Sequence, residues 1–267
     1  MKYFVVDAFA ENLFEGNPAG VCIMDNWLSD HLMQKIATEN NLSETAFAVK
    51  EGDRYHLRWF TPAEEIDLCG HATLATAYVI ANYYENNMEQ ITFKTMSGEL
   101  IVMKNGDLYE MDFPSRMPEE FSLTEQMVEA LGVTPIETYL SRDLMFVLES
   151  EEAVQTATPD FSKLKELPDG LGVSITAKSE KFDFASRSFF PKLNVNEDPV
   201  CGSAHCNFIP YWAKRLGKKE LTARQLSKRG GTLYCKLEND RVKMAGRAVL
   251  YSIADLQIEE LEGVRIK

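Results

Sequence analysis

The sequence contains no long apolar segment. None of its 267 residues lies in a run of about eighteen apolar side chains, the length that a membrane-spanning helix requires. The first residues, MKYFVVDAF, carry one lysine and a short apolar stretch that Asp7 interrupts, unlike a secretory signal peptide. We therefore expect neither a membrane-spanning segment nor export.

Cysteines are few, and familiar cofactor motifs are absent. The five cysteines are odd in number and scattered, unlike the framework of a disulfide-stabilised secreted domain, which favours a reducing cytoplasm. No Cys-x2-Cys or His-x3-His pair occurs, so the spacing disfavours zinc and we predict no metal. Gly-x-Gly-x-x-Gly, the phosphate-binding loop and His-Glu-x-x-His are also absent, and we expect no cofactor.

Positive charge is scarce. The chain has 28 Lys and Arg against 41 Asp and Glu, a net charge of −13. This balance argues against nucleic acid or an anionic membrane surface as a partner. A small anionic substrate stays possible, because a local basic or dipolar site can override the global charge.

One apolar segment, FTPAEEIDLCGHATLATAYVI from Phe60 to Ile80, has the pattern of a buried helix. After Cys69-Gly70-His71 no charged residue occurs until Glu85, and apolar side chains fall on nearly every face of a helical wheel. The helix therefore begins at a thiol, a glycine and an imidazole. Its free backbone N–H groups and positive dipole end favour a carboxylate, an oxyanion or a thiolate there.

The same pattern occurs a second time, in FFPKLNVNEDPVCGSAHCNFIPYW. Nearly the same offset, about half the chain, separates the two Cys-Gly pairs and the later pairs Ser97-Gly98 and Gly230-Gly231. We predict two similar domains, 1–113 and 119–267, with central helices from about 71 and about 203. The last strand could return to the first domain, and the two helix starts would face each other across a cleft.

Each candidate residue also has a structural explanation. Cys69 and Cys201 could be buried structural thiols, or reactive thiols whose pKa the helix N-terminus lowers. His71 could orient a substrate carboxylate or shuttle a proton, or be a hydrogen-bonded core residue. Asp198 could be a turn residue and Ser203 a helix cap.

Glu44 lies on a predicted strand, Leu42–Val49, in which alternate side chains point to opposite faces. It shares its face with Ala46 and Ala48, so an inward position is favoured. A carboxyl group there would suit general acid/base chemistry.

Five motifs, in order along most of the chain, resemble the phenazine-biosynthesis PhzF-like family. They are Val6-Asp7-Ala8-Phe9 with Phe14-x-Gly16-Asn17-Pro18-Ala19, Asn41-Leu42-Ser43-Glu44-Thr45-Ala46-Phe47, Phe60-Thr61-Pro62, Glu65-Ile66-Asp67-Leu68-Cys69-Gly70-His71-Ala72-Thr73, and Asp198-Pro199-Val200-Cys201-Gly202-Ser203-Ala204-His205-Cys206 with Pro210-Tyr211-Trp212.

The resemblance implies an α+β, diaminopimelate epimerase-like fold. In this fold each of two similar domains wraps a curved, mostly antiparallel sheet around a central helix. It also implies a homodimer and cofactor-independent isomerisation by proton transfer on a small carboxylic acid. Glu44 falls on the family's acid/base, and His71, Asp198 and Ser203 on its supporting polar residues. The amides of Gly70 and Gly202 would hold the substrate carboxylate.

One departure from the family keeps two alternatives open. The family commonly has threonine where this chain has Cys201. With Cys69, that cysteine resembles the pair of facing thiols that related epimerases and racemases use as base and acid. A two-cysteine racemase is therefore one alternative, and a non-catalytic metabolite-binding protein is the other.

Overall fold

Two buried helices lie at the centre of the fold. The computed structural model describes residues 1–86 and 88–258, and in that part of the chain one hydrogen-bonded sheet of 18 strands packs around both helices. The first helix, α2 (Gly70–Val79), continues into a wider helical turn at Ile80–Tyr84; the second, α6 (Gly202–Leu216), is continuous. Nearly every side chain of α2 is buried, as its apolar pattern predicts.

The peripheral helices begin at capping side chains. Ser29, Thr124, Ser150 and Asp160 each accept a backbone N–H from the first turn of the helix that follows. None of the described helices has the length and apolarity needed to cross a bilayer. These helices are α1 (Asp30–Asn40), α3 (Glu125–Leu131), α4 (Glu151–Thr156) and α5 (Phe161–Glu166), with a short 3-10 turn at Pro191–Leu193.

The strands fall into two series, one on each side of the predicted domain boundary, and a last strand. The first series is β1 (Lys2–Ala8), β2 (Asn17–Met24), β3 (Glu44–Glu51), β4 (Arg54–Phe60), β5 (Glu65–Ile66), β6 (Gln90–Thr95), β7 (Gly98–Asn105) and β8 (Leu108–Pro114). The second is β9 (Glu119–Glu120), β10 (Glu137–Leu140), β11 (Leu144–Val147), β12 (Val173–Lys178), β13 (Phe184–Phe190), β14 (Val195–Asp198), β15 (Glu220–Gln225), β16 (Gly231–Glu238) and β17 (Arg241–Gly246), followed by β18 (Ala248–Asp255).

Strand pairing repeats between the two halves. In the first half β2 pairs with β3 and β4 with β6 in parallel; in the second half β11 pairs with β12 and β13 with β15 in parallel. The other described pairings are antiparallel, and each half packs against its own central helix. This repetition confirms the predicted fold class of two similar units, each with a mostly antiparallel sheet around a helix.

The halves are joined at two places in the sheet. β8 pairs with β17, and β18 pairs with β1 along its whole length, from Lys2 opposite Asp255 to Ala8 opposite Ala248. The last strand thus pairs with the first strand of the N-terminal half, whereas the domain boundaries 1–113 and 119–267 stay a prediction. Residues 259–267 of the second predicted domain lie outside the described residues.

β3 carries Glu44 to the α2 side of the sheet. Ala46 and Ala48 pack in the cluster that includes α2, while Phe47 and Val49 pack in the cluster that includes α1, as the alternation predicts. The strand begins at Glu44 rather than at Leu42. The difference arises because Asn41 adopts a left-handed conformation (φ 48°) that ends α1.

Candidate active site

The two central helices begin in the same way. Cys69 and Cys201 are the N-cap residues, both with extended backbone, and neither makes a side-chain cap. A Cβ atom on Gly202 would meet no atom within 4 Å, and one on Gly70 would meet only the Phe113 ring at 3.9 Å. The space in front of both helix starts, called the cleft below, can therefore admit a ligand close to backbone N–H groups.

The carbonyl of each N-cap cysteine accepts a hydrogen bond from a side chain four residues later. Thr73 Oγ1 donates to Cys69 O at 2.5 Å, and His205 Nδ1 donates to Cys201 O at 2.7 Å. Burial lowers the pKa of His205 to about 4, so this histidine is neutral. His205 is therefore a structural residue that holds the start of α6.

At the start of α2, one side-chain atom of Glu44 and one of His71 lie close together, and neither makes a hydrogen bond to a described residue. Glu44 Oε2 and His71 Nε2 are 3.0 Å apart, but their alignment is not that of a hydrogen bond. Both atoms are buried and lack a hydrogen-bond partner within residues 1–86 and 88–258. Because such atoms are costly to bury unpaired, they are the candidates for contact with a ligand.

Burial decides the protonation of the two thiols. It raises the pKa of Cys69, with a further increase from Glu44, and raises that of Cys201 well above its ordinary value, with a further increase from Asp198. The expectation that the helix N-termini lower these pKa values is therefore wrong. The free energy needed to remove a thiolate from water is larger here than the stabilisation that the helix dipole provides.

Asn17, which the sequence analysis did not single out as a site residue, links the two halves of the cleft. It is 1% exposed, and its Nδ2 donates to Asp198 Oδ1 at 2.8 Å and to Val200 O at 3.2 Å. The same nitrogen lies 3.2 Å from His71 Nδ1. Its position in the Gly16-Asn17-Pro18-Ala19 motif is the signal that could have identified it.

The Asn17 amide also bears on the proton of His71. A carbonyl oxygen can only accept, so the Asn17 atom that contacts Val200 O must be the NH2 nitrogen. The same nitrogen contacts His71 Nδ1, which must therefore accept. We accordingly assign the imidazole proton to the other ring nitrogen, Nε2, which is the one nearer Glu44. Burial lowers the pKa of His71, but Cys69 and Glu44 outweigh it and raise the pKa well above the ordinary value. The amide opposes this rise, because a proton on Nδ1 would point at its NH2 group.

Asp198 titrates near neutral pH. Burial raises its pKa to about 7; His71 lowers the value and Glu44 raises it. Gln225, also missed in the sequence, holds the segment by donating to Asp198 O at 2.7 Å and accepting from Cys201 N at 2.9 Å. Asp198 is therefore a group that can take up or release a proton beside His71.

On the α6 side, Ser203 is placed between a thiol and a guanidinium. Its Oγ lies 3.2 Å from Cys201 Sγ and accepts a hydrogen bond from Arg142 Nη2 at 2.8 Å. Arg142 lies in the turn between β10 and β11, outside every recognised motif, so no sequence signal pointed to it. The structure thus brings the predicted residues together at the two helix starts and adds Asn17, Gln225 and Arg142.

Glu44, Cys69 and His71 also form the one group of side chains in the described residues that could hold a metal ion. Their ligand atoms lie within 4.8 Å of one another. The imidazole lies between the other two groups, with Nε2 towards Glu44 and Nδ1 3.5 Å from Cys69 Sγ. An ion bound by all three would require the ring to turn and the thiol to lose its proton, so the arrangement favours acid/base chemistry.

The fold and the cleft define the class of protein. The structure resembles that of a probable proline racemase from Agrobacterium radiobacter, with a TM-score of 0.64 over 98% of this chain and 94% of the other; at 9% identity this shows the fold alone. Two central helices, each packed against its own half of the sheet, thus form an epimerase-like fold.

The sequence match is more specific. Residues 6–253 match the phenazine biosynthesis-like (PhzC-PhzF) family, and the chain belongs to this family. It is 49% identical to an uncharacterized isomerase of Pseudomonas aeruginosa, over 97% of this chain and 99% of that protein. A crystal structure of a PhzF-family protein from Enterococcus faecalis is 54% identical, with a TM-score of 0.94, and covers 96% of this chain and 99% of the other.

Proposed function

We propose that the protein is an isomerase that moves a proton on a small carboxylated metabolite without a cofactor, with Glu44 as the general acid/base. The observation that carries this proposal is the pair Glu44 Oε2 and His71 Nε2. They are buried, 3.0 Å apart and without hydrogen-bond partners in the described residues, beside the open start of α2. The name of the P. aeruginosa relative, an uncharacterized isomerase, supports the same class of reaction.

The chemistry needs a base and a means of stabilising the anion that it creates. A C–H group next to a carboxylate is a weak acid, so preorganised donors in a water-poor site must stabilise the developing charge. The N–H groups that begin α2 and α6, at Gly70 and Gly202, are suited to hold the substrate carboxylate. Glu44 then takes the proton from one carbon of the substrate and becomes neutral, and a proton returns from Glu44 to another atom of the resulting anion, with His71 and Asp198 as supporting polar groups.

The two-cysteine mechanism remains the second candidate. Its support is that Cys69 and Cys201 occupy equivalent N-cap positions at the two helix starts. Such a mechanism needs one thiolate and one thiol, and the raised pKa of both groups disfavours the thiolate. Glu44 is therefore the better base.

The test is deuterium incorporation from heavy water. Small carboxylic and amino acids, proline among them, are first screened for ligands that raise the melting temperature. Each stabilising ligand is then incubated with enzyme in heavy water and analysed by mass spectrometry. We expect incorporation with the wild type and its loss in Glu44→Gln. The matched control is Glu99→Gln, which alters an exposed carboxylate on β7.

Each outcome has a distinct meaning. Full incorporation by a folded Glu44→Gln variant refutes Glu44 as the base. A ligand that binds the wild type without incorporating deuterium indicates the third alternative, a non-catalytic metabolite-binding protein.

We also propose that the protein is a homodimer, as the family resemblance implies, and that it is cytoplasmic, as its few and scattered cysteines suggest. Sedimentation at micromolar protein concentration tests the oligomeric state, and a mass near the 30.3 kDa of one chain would refute it. Fractionation of cells tests the location.

A further inference from the structure

Arg142 is held rigidly at the α6 side of the cleft. Its Nε and Nη2 atoms donate to the carboxylate of Asp143 at 2.7–3.2 Å. Asp143 is 1% exposed, and its Oδ1 also accepts the backbone N–H of Gly172 at 3.0 Å. Two parallel donor groups on a fixed carboxylate define the plane of the guanidinium as well as its position.

The rest of the guanidinium faces the start of α6. Nη2 also donates to Ser203 Oγ at 2.8 Å, and Cζ lies 5.8 Å from the centre of the Phe190 ring. The Arg142 side chain is 38% exposed, and Nη1 has no hydrogen bond to any described residue. Arg142 therefore keeps N–H donors available next to the open space at Gly202.

Three arginines act on the first turns of α6. Burial raises the pKa of Cys206, in the second turn of α6, to about 11, and Arg116, Arg142 and Arg241 each lower it. Two of these arginines also pair with carboxylates, Arg142 with Asp143 and Arg241 with Asp112, so their charges are largely offset. What Arg142 offers a ligand is therefore the fixed direction of its free N–H donors.

Polar contacts and one peptide link connect this position to the acid/base pair. Ser203 Oγ is 3.2 Å from Cys201 Sγ, and Cys201 follows Val200, whose carbonyl accepts from Asn17. The Asn17 amide in turn contacts His71, beside the unpaired Glu44 oxygen. The Arg142 position and the acid/base pair are therefore linked through Asn17.

We propose that Arg142 binds the carboxylate of the substrate at the start of α6 and so selects substrates that carry an anion at that end. The role of Arg142 rests on the proposed isomerase function, but its anion binding can be measured without turnover. Arg142 contacts no reacting atom. It positions the anionic end so that the neighbouring carbon meets Glu44.

The test uses malonate as the probe and its neutral analogue malonamide as the control ligand, with affinities measured by calorimetric titration. We expect malonate, and not malonamide, to bind the wild type. Arg142→Gln should weaken malonate binding by at least about tenfold, because a hydrogen bond to a charged group typically contributes that much. Arg54→Gln removes the same charge from an exposed position at the start of β4 and should leave the affinity unchanged.

Two further variants allow for an unstable Arg142→Gln protein. Arg142→Lys keeps the charge but loses the fixed pair of donors, and should bind malonate with intermediate affinity. Arg142→Gln combined with Asp143→Asn removes the buried carboxylate that the single change leaves unpaired, and should bind as weakly as Arg142→Gln.

The proposal is overturned if a folded Arg142 variant binds malonate as tightly as the wild type. It is also overturned if Arg54→Gln loses as much affinity, or if malonate does not bind the wild type in the millimolar range. None of these results concerns proton transfer, so they leave Glu44 untouched. Conversely, absence of deuterium incorporation would refute the isomerase function and leave the anion site standing.

Discussion

The starts of α2 and α6 share a backbone arrangement and differ in charge. Each has a cysteine N-cap, a glycine beside open space, and a side chain four residues on that binds the cysteine carbonyl. The residue after the glycine, however, is His71 in α2, against Glu44, and Ser203 in α6, against Arg142. The repeated unit supplies two ligand-facing helix ends, and the strands and turns around them decide which end transfers protons and which end binds an anion.

Among changes within the two helices, the largest expected effect comes from the residue after the glycine, which differs between α2 and α6. His71→Asn should slow deuterium incorporation by about 100-fold or more, the usual range for losing a proton-transfer group. Ser203→Ala should slow it by less than about tenfold, because Ser203 only supports Arg142 and lines the cleft. Rates are measured at saturating ligand by mass spectrometry. Equal losses would mean that the two starts share the proton chemistry.

The pH dependence of stability tests the raised pKa of Asp198, the carboxyl group that Asn17 links to His71. Because Asp198 has a pKa of about 7 when folded, against an ordinary value of 3.8, it binds a proton on folding. Stability from this group is therefore present at low pH and is lost as the pH rises to about 7. Asn at position 198 does not titrate, so the variant should not lose stability in this way. Between about pH 5 and about pH 8 the free energy of unfolding of the wild type should therefore fall by up to about 3 kcal/mol relative to that of Asp198→Asn.

Urea titrations of both proteins at the two pH values measure this difference. The predicted difference is an upper limit, because Asp198 is only partly buried. Asp67→Asn, at an exposed position, is the control and should follow the wild type. A pH-independent difference between Asp198→Asn and the wild type would contradict the raised pKa.

Asn17 connects the two starts, and removing its amide should weaken both. Asn17→Ala leaves Val200 O without its side-chain donor and Asp198 Oδ1 with only the Val200 N–H, so we expect a loss of about 1–3 kcal/mol in unfolding free energy. The pH profile of activity should also shift, because His71 can then be protonated at Nδ1. Asn26→Ala, at an exposed position, should do neither. An unchanged pH profile in a folded Asn17→Ala variant would remove Asn17 from the site.

The smallest effect is expected where the two starts are identical. If Glu44 is the base, Cys201 only lines the cleft, and Cys201→Thr should leave both rate and stability nearly unchanged, with Ser203 close enough to contact the new hydroxyl. Cys201→Ser should then be equally mild. If the two cysteines are the catalysts, both changes should cost orders of magnitude, because a hydroxyl is far too weak an acid to replace the thiol.

The repeat and the helix starts could be predicted because they depend on local patterns. Cys-Gly before an uncharged segment identified α2 and α6, and period-two alternation placed Glu44 on the α2 side of β3. Arg142 could not be found in this way. Arg142 reaches Ser203 only because the turn between β10 and β11 lies beside the start of α6. The two residues are 61 positions apart in the sequence.

The protonation state of the two thiols could not be predicted from the sequence, for a different reason. A helix N-terminus can be recognised from residue types, but the degree of burial depends on the packing of both halves. Cys69 is 6% exposed and Cys201 3% exposed, and at that depth desolvation exceeds the effect of the dipole. The offset of two residues at the start of β3 likewise follows from the left-handed turn at Asn41, which no periodicity encodes.

The pairing of β18 with β1 has a consequence for how the chain folds. The N-terminal amino group donates to Leu256 O at 3.1 Å, so strands from opposite ends of the described chain close the sheet around α2. On the ribosome, β1 must keep one edge unpaired until the strand after β17 has been synthesised. An open strand edge is a site of aggregation, and contacts so distant in sequence form slowly. The N-terminal unit is therefore completed only after the strands of the C-terminal unit have been synthesised.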